Sequence, residues 1–362
     1  MQIYYFLFVL LVALICIPCT GNNKIQNYNS SYFIFHAMFL VLFVSLFFGL
    51  RNVNLGLDSI QYLKMFRSGK FDDRSQGEIG FALLIKLLHN ILTFDKSFLF
   101  VMSFIISFLC FYLYKEIDKQ HAFYYFLILS CFYYFYIFHM SMYRNGIAIG
   151  LLGISYLKYK KDDKLSFYFL GILAFSIHYT AIIFLIFPIL DRFCQKKITN
   201  RKRHTLLFIV LLIFLFTSIM DKIVAAIPEF CFPILRFKDY YLRGRYYWQY
   251  QFHITHSHLI TLSIMLFFNF NFNKIKQSKF FNLYLLHSIY YVLIALFKNS
   301  VVVYDRFYFY IQVFEPVLIF EFYNIFKEKK LAKFLIITLT ILYSVFTIFL
   351  WGPRNLIKPY YL

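Results

Sequence analysis

Apolar stretches follow one another along almost the whole chain, each about 15 to 25 residues long, with short polar loops between them. That feature decides the fold class. A helix rises about 1.5 Å per residue, so a stretch of this length covers the ~30 Å hydrocarbon core of a bilayer. Lipid offers the backbone no hydrogen-bond partners, and only helices and closed barrels satisfy themselves there. Barrel strands alternate apolar and polar residues, whereas these stretches are continuous. The expectation is an all-α, polytopic transmembrane protein. It would form a single integral membrane domain over residues 1–362, with about eleven or twelve hydrophobic segments.

Charge needs this frame to be read. The net charge is +20, which in a soluble domain would point to nucleic acid. Here Lys and Arg gather in the loops between apolar stretches. That is the positive-inside pattern, and it reports orientation rather than a ligand. Nucleic acid is not an expected partner; the lipid bilayer is. Of the six cysteines only Cys16 and Cys19 are spaced as CxxC, inside the first apolar stretch, and the rest are scattered, so neither a disulfide framework nor a zinc site is indicated. The run His253, His256, His258 fits no usual zinc spacing. HExxH, P-loop and GxSxG motifs are absent. No metal and no cofactor are expected.

In order, the first spans are Tyr4–Cys19 and Tyr32–Leu50, and a polar segment over 51–78 is extramembrane. Ile79–Leu92 is apolar but short and carries Lys86 and His89, which suits a re-entrant or interfacial helix. Phe98–Tyr114 is a span. Phe123–Leu157 reads as a hairpin of two spans meeting at HMSMYRNG. Thr205–Met220, His258–Phe270, Phe281–Phe297, Phe307–Phe326 and Leu335–Trp351 complete the set, with a second external loop over 221–257.

Leu165–Leu190 poses a conflict. It lies between two strongly basic loops, one holding Lys158, Lys160, Lys161 and Lys164, the other DRFCQKKITNRKRH. Both belong in the cytoplasm, yet one crossing would separate them, and the stretch is too short for two crossings of about 20 residues each. The resolution is a pair of half-helices over 165–190 that enter and leave on the same side, interrupted near Ser176–His178–Thr180; the alternative is a single long span with one basic loop outside. Irregular backbone at membrane depth is tolerated where it is buried in protein or lines a cavity.

Ionisable groups in such a chain are functional candidates by default. Arg144 heads an apolar helix, where a cation opposes the helix dipole and a bound anion would offset the penalty. His178 sits at the expected break and suits a general base. With a cytoplasmic lysine loop, both face the opposite side. Glu78 precedes the short helix at 79, where it also fits as a favourable N-terminal charge. Arg51, Asp58 and Tyr62 surround a glycine turn at Gly56. Arg243 and Arg245 lie among tyrosines in the second external loop, and Arg306 opens a later helix.

These residues carry a resemblance. GLDSIQY, then the acid before IGFALL, then SMYRNGIAIG, SIHYTAIIF and DRFYFYIQVFEP together resemble the EpsG/Wzy-like polysaccharide polymerases. That family's segments run approximately G-x-D-x-x-x-Y, an acid before a short apolar helix, R-x-x-x-A, A-x-x-x-H and R-x-x-x-Y-F. They fall on Gly56, Asp58 and Tyr62; on Glu78; on Arg144 and Ala148; on Ala174 and His178; and, with a spacing two residues shorter, on Arg306 and Tyr308–Phe309. Asn145 stands where the family commonly has Gln.

The resemblance implies a metal-independent membrane glycosyltransferase at the outer face of the bacterial cytoplasmic (inner) membrane. Its substrate would be an oligosaccharide repeat on undecaprenyl diphosphate, and its product O-antigen, capsule or exopolysaccharide. A flippase and a chain-length regulator are the implied partners. Arg144, His178, Asp58 and Glu78 become catalytic candidates, and Arg51, Tyr62, Arg243, Arg245 and Arg306 substrate-binding ones. A flippase for the same lipid-linked sugar, or a ligase-type transferase, is the alternative.

Overall fold

The computed structural model describes residues 2–20, 30–53, 56, 58–70, 78–198, 200–217, 256–295, 301–326 and 328–346. Helices are the regular structure of the described residues, with no strand among them. In chain order the helices are α1 (Gln2–Thr20), α2 (Ser30–Gly49), α3 (Ser59–Ser68), α4 (Ile79–Ile91), α5 (Asp95–Asp118), α6 (Ala122–Ser130), α7 (Tyr133–Met140), α8 (Tyr143–Lys160) and α9 (Lys164–Ile177). A 3₁₀ helix (Tyr179–Ile186) follows. Then come α10 (Phe187–Lys197), α11 (Arg201–Phe216), α12 (His256–Phe270), α13 (Phe272–Ile275), α14 (Phe281–Ala295), α15 (Val301–Gln312), α16 (Glu315–Ile325) and α17 (Lys329–Phe346). The chain divides into two compact units, residues 1–184 with 320–362, and residues 185–319.

This is a membrane protein. Among the described residues, Ser31–Gly49 and Asp95–Asp118 are each long and apolar enough to cross a bilayer alone, and α6 with α7 makes a third if the bent pair is one span. The apolar residues of α2 are divided between the protein core and the exposed surface. Leu40, Val41, Val44 and Phe48 of α2 are buried, while Phe35, Phe39, Leu42 and Leu46 are exposed.

In the first unit α8 and α9 form a tight antiparallel hairpin, and α5 packs on both α2 and α8. The α5–α8 contact is built on missing side chains. A Cβ on Gly146, Gly150 or Gly153 would lie 2.9, 2.6 and 2.6 Å from side-chain atoms of Ile106, Leu109 and Leu113. Small residues at such spacing let helices approach closely, and in lipid close packing is a main source of helix association. The lysine loop turns tightly. Asp162 adopts a left-handed backbone, and Asp163 caps α9 by accepting from the Ser166 N–H at 3.1 Å. Lys158 and Lys160 sit in the last turn of α8, where cations complement the helix dipole.

The expected break in 165–190 falls at His178, inside the stretch Ser176–Thr180. α9 ends at Ile177, His178 is extended (φ −152°, ψ 120°), and the chain continues as a 3₁₀ helix. The short segment after residue 78 is one unbroken helix of 13 residues, about 20 Å long.

Two further breaks interrupt segments expected to be continuous. α6 and α7 meet at 80°. There the Ser130 hydroxyl donates to the Leu127 carbonyl at 2.7 Å, a back-bond that bends helices, and Phe132 is extended. The segment Phe307–Phe326 is divided between α15 and α16. Pro316 lies in the first turn of α16, where its missing N–H costs nothing, whereas inside one continuous helix it would remove a hydrogen bond.

Gly153→Val is expected to force α5 and α8 apart and destabilise the fold by about 1–3 kcal/mol, the usual cost of overpacking. A thermal unfolding midpoint in detergent measures this, and adding Leu113→Ala, which removes the atoms a Cβ at 153 would meet, should restore part of the loss.

Candidate functional site

Glu78 occupies the N-cap position of α4, yet its side chain makes no capping bond. The carboxylate turns inward instead and is 2% exposed. Oε2 accepts from Arg144 Nη1. Oε1 pairs with His178 Nδ1 and receives the Tyr179 N–H at 3.4 Å. Arg144 donates from Nε to the Tyr62 hydroxyl at 3.1 Å. Its guanidinium also lies over the rings of Tyr62 and Phe81, 5.7 and 5.9 Å from their centroids. One carboxylate thus joins a cation from the start of α8 to an imidazole from the break after α9.

Each element reaches the site for a local reason. α4 and α9 approach closely because residue 80 is glycine; a Cβ there would sit 2.2 Å from the Ser176 hydroxyl. The extended backbone at His178 releases its ring from the α9 register and frees the following N–H for Glu78. Gly56 has a positive φ of 104°, and a Cβ there would lie 2.1 Å from the Met140 carbonyl oxygen. The Ser59 hydroxyl donates to that same oxygen, so the start of α3, and with it Tyr62, is fixed to the end of α7.

The charges follow from this geometry. Burial pushes the Tyr62 hydroxyl up to about 12, against the pull of Arg144 and with a smaller push from Asp58. Tyr62 is therefore a neutral phenol that accepts from Arg144. Burial works against the Glu78 carboxylate, yet the hydrogen bond and charge of His178, and then Arg144, hold it below its ordinary range. The site contains an ionised carboxylate, a guanidinium and an imidazole in contact.

The sequence profile of the EpsG family matches residues 34–362. The chain belongs to the EpsG family. No curated protein and no solved structure matches it. The EpsG assignment brings with it a polysaccharide-polymerase type of function, glycosyltransferase-like in character.

Within this EpsG chain, Glu78, Arg144, His178 and Tyr62 converge. Asp58 is the N-cap residue of α3 without a side-chain cap bond, one turn from Tyr62. Arg51 is a fastener. Its Nη1 donates to the Phe48 carbonyl at 2.8 Å, and its Nη2 to Ser59 Oγ (2.8 Å), the Met140 carbonyl (3.2 Å) and the Tyr143 hydroxyl (2.6 Å). It ties α2, α3, α7 and α8 together behind Arg144. Arg306 lies half-buried on α15 in the second unit. Arg243 and Arg245 lie outside the described residues.

The second unit holds a buried polar cluster that the sequence reading missed. Glu315 Oε1 accepts from Thr261 and lies 3.4 Å from His287 Nε2, and Thr261 also bonds the Tyr308 hydroxyl at 2.6 Å. The signal was present, since His287 and Glu315 each interrupt an apolar stretch just as His178 does.

Arg51→Lys is expected to lower the thermal midpoint, because an ammonium cannot reach acceptors on four helices as the planar fork does. Arg144→Lys should leave that midpoint closer to wild type. Scanning fluorimetry of the two purified variants checks the order.

Proposed function

We propose that this chain polymerises oligosaccharide repeats carried on undecaprenyl diphosphate into a bacterial surface polysaccharide such as O-antigen, capsule or exopolysaccharide. It acts as a multi-pass protein of the cytoplasmic membrane, at its outer face. A flippase delivers the lipid-linked repeat, and a chain-length regulator is the natural partner of the product. The observation that carries the reading is the bridge from Arg144 through Glu78 to His178. It sets an anion-binding cation beside a carboxylate-held imidazole, which are the two functions glycosyl transfer from a diphosphate requires.

Arg144 holds the donor diphosphate through charge-assisted hydrogen bonds. As the sugar C1–O bond to phosphate breaks, its electron pair leaves with undecaprenyl diphosphate, and the guanidinium stabilises the growing charge. The acceptor hydroxyl oxygen forms the new bond to C1 and gives its proton to His178. Glu78 orients that imidazole and stabilises the imidazolium that forms. Tyr62 keeps the guanidinium plane in place. The positive charge at the leaving group comes from a side chain, so the reaction is read as metal-independent.

The first test is a gel of surface polysaccharide from a lipopolysaccharide-making strain that lacks the gene. The ladder is expected to collapse to lipid core plus one repeat. Wild type should restore it and Arg144→Ala should not, with polymerisation falling about 10²–10³-fold, the usual loss of a transition-state donor. Bare core alone would indicate a flippase or ligase instead. In purified form, polymerisation of lipid-linked repeats should continue unchanged in EDTA, and loss of product under chelation would overturn the metal-independent reading.

A further inference from the structure

We propose that Glu78 is the internal occupant of the diphosphate site, and that donor binding displaces it from Arg144 and leaves its carboxylate to His178 and the Tyr179 N–H alone. The inference rests on the assignment of Arg144 to the donor diphosphate. Three observations carry it. The first is that the carboxylate is shared, with Oε2 on Arg144 and Oε1 on His178 and the Tyr179 N–H. When Oε2 loses Arg144, Oε1 keeps two donors, so Glu78 has a place to remain as an ionised group.

The second is the difference in exposure. The Arg144 side chain is 23% exposed, against 2% for Glu78 and 4% for His178. An arriving anion meets the guanidinium first and the other two only afterwards. The third is charge. In the resting site the guanidinium is already neutralised by a carboxylate, which uses the same donor geometry that a phosphate oxygen would use. A diphosphate carries more charge and more acceptor oxygens than a carboxylate, so it can win that exchange, but it must pay for the contact it breaks.

The exchange has a consequence for His178. With phosphate on Arg144, Glu78 no longer divides its oxygens between the guanidinium and the imidazole, so it is wholly engaged in orienting His178 and stabilising the imidazolium that forms during transfer. The base is fully supported only when a donor is bound.

The test uses the full chain in detergent or nanodiscs, with inorganic pyrophosphate and undecaprenyl diphosphate as probes in calorimetric titrations. Glu78→Gln removes the competitor's charge, so both probes should bind more tightly, by roughly 5- to 100-fold, the span of ordinary site-to-site coupling. Polymerisation by the same variant should fall. Equal or weaker probe binding by Glu78→Gln, alongside clear loss in Arg144→Gln, would overturn the displacement while leaving the diphosphate assignment standing. Probe binding that is the same in wild type and Arg144→Gln would overturn that assignment itself. A second readout needs no Glu78 variant. In ¹⁵N-histidine-labelled protein, the resonance absent from His178→Gln should shift when pyrophosphate is added to wild type but not when it is added to Arg144→Gln, and a wild-type resonance that stays in place counts against the displacement.

Discussion

A carboxylate taken out of water loses several kcal/mol of solvation unless its charge is matched nearby. Glu78 is in that position, and Arg144, His178 and the Tyr179 N–H together satisfy it. The partners come from segments 66 and 100 residues away in sequence. No single helix could present them together. α3 and α4 must lie against α8 and α9, and α9 must stop where His178 begins. Much of the first unit is arranged so that one buried charge has its partners.

That requirement explains why irregular backbone is concentrated where it is. A continuous helix through residue 178 would lock the Tyr179 N–H into the helical ladder. The His178 N–H still makes its ladder bond to the Ala174 carbonyl and closes α9, but the extended conformation at His178 turns the Tyr179 N–H to Glu78. Arg51 performs the matching task at the other end. The last turn of α2 and the end of α7 leave carbonyls that a helix cannot satisfy internally, and the Arg51 guanidinium donates to one of each, Phe48 and Met140, and to the hydroxyls of Ser59 and Tyr143 at the starts of α3 and α8.

The break at His178 was legible because two basic loops could not both be cytoplasmic with an intact helix between them, and that constraint needs only charges and lengths. Arg144, Glu78, Tyr62 and His178 were legible as individual candidates because ionisable groups beside apolar stretches are expensive. Their pairing was not legible, since nothing local in the sequence says which carboxylate meets which cation at such separations. Arg51 shows the same limit, because a cation in a polar loop reads as ligand-binding until its acceptors are seen. The bend between α6 and α7 escaped because Ser130 and Cys131 do not lower hydropathy enough to interrupt the pattern. His287 and Glu315 escaped although the rule that singled out His178 applied to them equally.

The positions that carry no chemistry set the precision of those that do. Gly80 lets α4 rest on Ser176, and that contact fixes how far the Glu78 carboxylate lies from His178. Gly56 lets the loop before α3 settle on the Met140 carbonyl, which fixes Tyr62 relative to Arg144 two residues beyond the end of the α7–α8 connection. Gly146, Gly150 and Gly153 hold the body of α8 against α5, so the Arg144 end of that helix has a rigid support. In lipid, where burying apolar surface gives no driving force between helices, such close contacts are what can hold a hydrogen-bonded site within a few tenths of an ångström. The glycines therefore belong to the site as much as its charges do, and a side chain added at any of them acts on the distances between Glu78, Arg144 and His178.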